Sequence, residues 1–150
     1  MNDLQIRVAT MEDLDGILEM IQRDSFTHRP DEPGRREDYV RAFEAIDASP
    51  DNELIVVMRG AEMVGTLQLT FIPGLSYRGG WRAQVEAVRV RQDLRNMRIG
   101  TRMMEWAIGR ARERGCRLVQ LTTNAARTDA QRFYRKLGFE PSHVGMKLIL

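Results

Sequence analysis

The chain has 150 residues, 43% of them hydrophobic and 29% charged, with a formal net charge of +2. That size and mix suit one hydrophobic core, so a single domain over residues 1–150 is expected. The sequence has no apolar run long enough to span a bilayer, no basic and apolar leader at its start, one cysteine and two histidines. These features exclude a helical membrane protein, a disulfide scaffold and a typical structural zinc site, and a cytoplasmic chain with no membrane partner is expected.

Leu4, Ile6 and Val8 alternate with polar residues, which predicts a first strand. Thr10 stands as an N-cap with Glu12 and Asp13 in the first turn. Leu14, Ile17, Leu18 and Ile21 then recur at helical spacing, predicting a helix to about Asp24. The stretch THRPDEPGRR, punctuated by Pro30, Pro33 and Gly34, reads as a loop. A second helix from Glu37 to Asp47 would place Val40, Phe43 and Ile46 on one face.

ELIVVMRGAEMVGTLQLTFI reads as two strands joined by a short hairpin at RGAE. PGLSYRGG is a loop and WRAQVEAVRV a fourth strand. The helix from Ile99 to about Arg114 carries Ile99, Met103, Met104, Ala107, Ile108 and Ala111 on its buried face, and Gly115 ends it. RLVQLTT predicts a buried fifth strand, DAQRFYRKL a short helix closed by Gly138, and VGMKLIL a last strand. The order β-α-α-β-β-β-α-β-α-β predicts an α/β (α+β) domain, a mixed sheet flanked by helices.

Lys136 and Lys147 are the only lysines, so nearly all positive charge is guanidinium, which favours planar anions. Arg78, Arg82, Arg89, Arg91, Arg95, Arg98 and Arg102 cluster against only Glu86 and Asp93. With no long basic run and no aromatic-rich strand, that bias points to an anionic small molecule and away from nucleic acid.

The stretch LRNMRIGTRMMEWA joins the fourth strand to the third long helix. A helix start of this kind offers several backbone N–H groups at once and accepts a pyrophosphate without a metal. It lacks the lysine of a P-loop and the glycines of a dinucleotide fingerprint. VRVRQDLRNMRIGTRMMEWA resembles the coenzyme A loop of the GNAT superfamily of N-acetyltransferases, whose pattern is Arg or Gln, two residues, Gly, one residue, then Gly or Ala. Arg95 takes its first position and Gly100 its last, while Arg98 stands where the family has a glycine. The later stretch QLTTNAARTDAQRFYRKLGFEPSHVGMKLIL is similar to the family's fifth strand, tyrosine-bearing helix and final strand. Its form T-N-x-x-R-x-D-A-x-R-F-Y resembles the aminoalkylphosphonate N-acetyltransferase branch.

The resemblance implies a mostly antiparallel sheet of about six to seven strands with about four helices. It implies acetyl-CoA as cosubstrate, no metal, and a small primary amine as acceptor, acetylated by direct attack in a ternary complex. An anionic amine is attractive, given the arginines. Arg95, Asn96, Met97, Arg98, Ile99, Gly100 and Thr101 would hold the pyrophosphate. The backbone of Val88 and Val90 would hold the pantetheine arm and polarise the carbonyl, and Asn124 would be a coenzyme-side contact or a strand-end turn residue. Tyr134 would protonate the departing thiolate, as a neutral phenol in a largely apolar channel can. Strand alternation puts Glu86 on one face with Val88 and Val90, and Ala87 and Arg89 on the other. Glu86 would there accept the amine proton, unless it is a salt-bridged structural residue.

A residue in the first turn of a helix has φ near −60°, so the family glycine is not expected at Arg98 for its dihedral freedom. The arginine would either turn outward or fold over the phosphates. Cys116 reads as a buried, inert thiol. His28 and His143 stand as candidates bordering the acceptor site. A homodimer through exposed C-terminal strands is compatible with the pattern. The competing readings are a non-catalytic acyl-CoA-binding or sensing domain and a basic nucleic-acid-binding protein.

Overall fold

A computed structural model describes residues 3–23 and 35–150. Asp24, His28, Pro30, Pro33 and Gly34, named above, lie outside them. Among the described residues, five strands form one sheet in the order β1-β2-β3-β4-β5: β1 (Leu4–Val8), β2 (Asn52–Arg59), β3 (Glu62–Ile72), β4 (Trp81–Val90) and β5 (Cys116–Leu121). Neighbours are antiparallel except β4 and β5, which are parallel and joined through a helix.

Two helical layers cover the sheet. Alternation along β2 explains why both are needed: Ile55 and Val57 face one layer and Val56 the other, and all three are fully buried. On the first face lie α4 (Ile99–Glu113), through Ile99, Met103, Met104, Ala107 and Ala111, and α5 (Thr128–Lys136), through Phe133 and Tyr134. On the second face lie α1 (Leu14–Arg23), through Leu14 and Ile17, and α2 (Arg36–Ala48), through Phe43.

The entry to α1 is fastened as its sequence suggests. Thr10 N–H donates to Asp13 Oδ2 at 2.8 Å, and Arg7 holds both Asp13 oxygens at 2.7 and 3.0 Å. A two-residue turn joins β2 to β3, with Gly60 at φ 61°, which glycine adopts freely. The β3–β4 loop contains a four-residue turn, α3 (Ser76–Gly79), where Tyr77 and Arg78 are left-handed at φ 53° and 59°. Gly115 and Gly138 end α4 and α5 with φ 75° and 100°.

The sheet differs from the expected six to seven strands. VGMKLIL forms no strand or helix among the described residues, and its apolar side chains are exposed. β5 is therefore an edge strand, half-buried rather than fully buried as its composition suggested. Helical segments exceed the expected four, because α3 and the short turns Met11–Asp13 and Gln92–Met97 add to the long helices.

Candidate active site

β4 and β5 begin side by side and then part. Their pairing runs from Trp81↔Cys116 to Val85↔Leu121, where β5 ends. β4 continues to Val90, held on its other edge by β3 as far as Gly65↔Val90. Residues Glu86–Val90 thus present one backbone edge to an opening where a fifth-strand partner has stopped.

A bulge sits at the mouth of that opening. Gln68 pairs with Glu86 and Thr66 with Arg89, so Ala87 and Val88 stand opposite Leu67 alone. Ala87 takes φ 52°, a left-handed conformation that costs a non-glycine residue about 1–2 kcal/mol. The extra residue shifts the phase of the strand and corrects the alternation expected above. Val88 and Val90 join Val85 on the face packed by α4 and α5. Glu86, opposite Gln68, lies on the other face with Arg89, where it is exposed. Nothing in QVEAVRV signals the bulge, since Ala has no preference for positive φ.

Beyond β4 the chain makes a short helical turn, Gln92–Met97, pinned by buried Leu94. Arg91 clamps it: its guanidinium holds Asp93 at 2.8 and 2.7 Å and Glu62 at 3.3 Å, and its N–H donates to Val64 C=O. Arg91 is thereby committed to structure. α4 then starts, with its first outer bond from Arg102 N–H to Arg98 C=O. The N–H groups of Ile99, Gly100 and Thr101 precede that ladder and carry the positive end of the helix dipole. Arg95, Asn96, Met97 and Arg98 are exposed beside them.

Arg98 itself is left-handed, with φ 62° and ψ 17°. This corrects the expectation that its position is an ordinary first-turn residue, for it is the N-cap. A glycine in the family pattern at this position is explained by dihedral freedom, and that glycine was the available signal. The Arg98 side chain lines a cavity of about 260 Å³ together with Asp3, Leu4, Arg59, Met97, Ile99 and Arg102, on the β1–β2 flank of the helix start.

The opposite flank belongs to α5. A β-carbon on Gly100 would lie 3.4 Å from Phe133 Cζ and 3.7 Å from Val90 Cγ2, so the helix start, the end of β4 and α5 meet there. Phe133 and Tyr134 stack edge-to-face at 5.1 Å, and Tyr134 and Phe139 at 5.8 Å. Burial raises the Tyr134 phenol above its usual 10, against a smaller opposing pull from Arg127 and Arg89. It is therefore a neutral proton donor throughout the physiological range. The structure brings Val88, Val90, the α4 start and Tyr134 to one face of the opening, with Glu86 on the other.

The remaining candidates have local duties. Asn124 Oδ1 accepts Ala126 N–H at 2.9 Å and its carbonyl accepts Arg127 N–H, which is the strand-end turn reading. Asp129, in the first turn of α5, is held below the usual carboxylate range chiefly by the Ala130 N–H. Burial raises the Cys116 thiol, which keeps it un-ionised. His143 is exposed and bonded to Ser142 Oγ. Among the described residues no group of acidic, histidine or cysteine side chains is arranged to hold a metal, and no helix is long and apolar enough to cross a membrane.

The sheet splits between two parallel strands, with a helix N-terminus and a partly buried tyrosine beside the split. Residues 14–139 match the model of the acetyltransferase (GNAT) family, and the chain belongs to that family. It is an N-acetyltransferase: it is 30% identical over 139 residues to the aminoalkylphosphonate N-acetyltransferase of Salmonella typhimurium, covering 93% of this chain and 86% of the relative. A crystal structure described as a transcriptional regulator from Bacillus halodurans matches with TM-score 0.90 and 46% identity over 98% of this chain and 99% of its own. At 19% identity, a structure described as a predicted acetyltransferase with acetyl-CoA from Clostridium acetobutylicum shares the fold, with TM-score 0.77 over 97% and 96% of the two chains.

Proposed function

We propose that this chain transfers the acetyl group of acetyl-CoA to the primary amine of a small anionic molecule, an aminoalkylphosphonate being the first candidate. The observation that carries the reading is the β4–β5 opening, where the α4 start, Val88, Val90 and Tyr134 converge. The amides of Ile99, Gly100 and Thr101, beside Arg95, suit a pyrophosphate. The exposed backbone edge of Val88 and Val90 suits an amide-bearing pantetheine arm, which would extend the sheet where β5 stops.

Two reactants are needed in one place, and the opening has two faces. Glu86 on one face would take a proton from the incoming ammonium, leaving the nitrogen lone pair free to attack the thioester carbon. As the new C–N bond forms and the C–S bond breaks, Tyr134 on the other face would give its proton to the leaving sulfur, and the second proton, shed by the nitrogen as it becomes an amide, would return through water to the Tyr134 phenolate. Amide and free thiol are the products, with one proton released. Direct attack fits the position of Cys116, which pairs with Trp81 at the far end of the β4–β5 pairing from Val88 and Val90. The acceptor assignment rests on the Salmonella typhimurium relative and on the arginine-rich segment.

The designation of the Bacillus halodurans relative favours one second reading, an acyl-CoA-sensing domain that keeps the fold and binds without turnover. Thermal unfolding with acetyl-CoA tests what both share. Ligand at about 100 times Kd adds about 2.7 kcal/mol, or roughly 5–10 °C at this chain length. No shift at millimolar ligand would end both readings, and turnover with a primary amine separates them.

A further inference from the structure

Acetyl transfer does not account for the cavity beside the α4 start. The cavity measures about 260 Å³ and lies on the β1–β2 flank. Arg59 lines it from the end of β2, Arg98 from the cap of α4, and Arg102 from one turn further along that helix. Asp3 is the one carboxylate among the described lining residues. Two acids near Arg59 are drawn to Arg91 instead. Arg91 holds Asp93 at 2.8 and 2.7 Å, and Glu62 lies 3.3 Å from Arg91 but 3.6 Å from Arg59.

Three guanidinium groups drawn round one small space repel each other. Arg59 and Arg102 are half-buried, so water screens them less than surface charges. An anion between the three relieves that repulsion. Guanidinium selects oxyanions that accept two parallel N–H bonds, phosphate foremost. Leu4 and Ile99 give the cavity an apolar wall, which suits a short carbon chain on the phosphate. The coenzyme and acceptor side of the helix start is elsewhere. Gly100 faces Phe133 and Val90 on the opposite flank, where Phe133 stacks on Tyr134.

We infer that the cavity is a second anion site, which takes a small phosphate monoester that is neither the coenzyme nor the acetyl acceptor. Arg59, Arg98 and Arg102 bind its phosphate oxygens, and Leu4 and Ile99 pack on its carbon chain. The inference goes beyond acetyl transfer and stands whether or not that reading holds.

The test is calorimetric titration of the full chain with inorganic phosphate and with n-propyl phosphate, an ester without an amine. About 150 mM chloride screens loose surface attraction. Both should saturate a single site with Kd of about 1 mM or below, the ester binding more tightly. Affinity should stay within about threefold when CoA is present at millimolar concentration. In the double variant Arg59→Gln with Arg102→Gln, both affinities should fall at least about tenfold, because two charge-assisted contacts are lost. The far-ultraviolet spectrum and urea midpoint should match the parent, and the single variant Arg59→Gln carries the same test if the double one unfolds. No saturation by about 10 mM phosphate overturns the inference, as does undiminished binding in the variants. Displacement of phosphate by CoA also overturns it, since the arginines would then serve the coenzyme. An ester that binds no more tightly than phosphate overturns the role of the apolar wall.

Discussion

Replacing Arg98 by glycine should stabilise the protein and leave the coenzyme site intact. Arg98 sits at φ 62° and ψ 17°, a conformation that costs an L-residue with a β-carbon about 1–2 kcal/mol. Glycine removes that cost but gives back about 0.5–1 kcal/mol in unfolded-state entropy. The net gain is about 0.5–1 kcal/mol, a rise of about 1–4 °C in Tm for a domain of this length. Arg98→Ala keeps the left-handed strain and should show no such rise. The Arg98 side chain lines the cavity with Leu4 and Arg59, on the other flank of the helix start from Phe133 and Val90. Its loss should leave the acetyl-CoA Kd within about threefold, whereas losing a charge-assisted phosphate contact would weaken binding by about ten- to a hundredfold. Chemical denaturation and calorimetric titration read the two quantities. A destabilised glycine variant would refute the strain argument, and a large affinity loss would place Arg98 over the phosphates.

Three further outcomes follow from the site and its supports. Glu86→Gln should lower kcat/KM by about 10²-fold near neutral pH if Glu86 takes the amine proton. The deficit should narrow as the pH nears the amine's own pKa, and a pH-independent deficit would speak for a merely structural residue. Because the Tyr134 phenol is raised above 10, kcat should show no loss from its ionisation below about pH 10, and an alkaline fall centred near pH 8 that disappears in Tyr134→Phe would contradict the buried-phenol picture. Asp13→Ala should cost about 1–2 kcal/mol at pH 7 by removing the α1 cap and the Arg7 pair. Asp13 is held below the usual carboxylate range chiefly by Arg7, so its contribution is present above about pH 4 and is lost as pH falls through its folded-state pKa. Urea midpoints of the two proteins should therefore converge in acid.

The long helices, the hairpin and the crossover were legible because each rests on local periodicity or a glycine stop. Ile99, Met103, Met104, Ala107 and Ala111 repeat with the period of the buried face they form. The proposed acid role of Tyr134 rests on the family pattern around it, and the structure adds only that burial raises its phenol further. The site's two backbone irregularities left almost no local trace. At Ala87 the bulge comes from how β3 and β4 align, and it moves Glu86 away from the face of Val88 and Val90. At Arg98 the left-handed cap was hidden because guanidinium chemistry drew attention to charge rather than φ. The pattern of VGMKLIL is strand-like, but a strand needs a neighbour, and no local signal says which edge supplies one.

The most direct measurement is release of free thiol from acetyl-CoA with 2-aminoethylphosphonate as acceptor, for the parent and for Tyr134→Phe. The account predicts one thiol per acetylated amine in the parent. In the variant kcat should fall by roughly 10²–10⁴ with the acetyl-CoA Kd unchanged. Acetyl-CoA binding without thiol release for any small primary amine, or an undiminished rate in Tyr134→Phe, would contradict it.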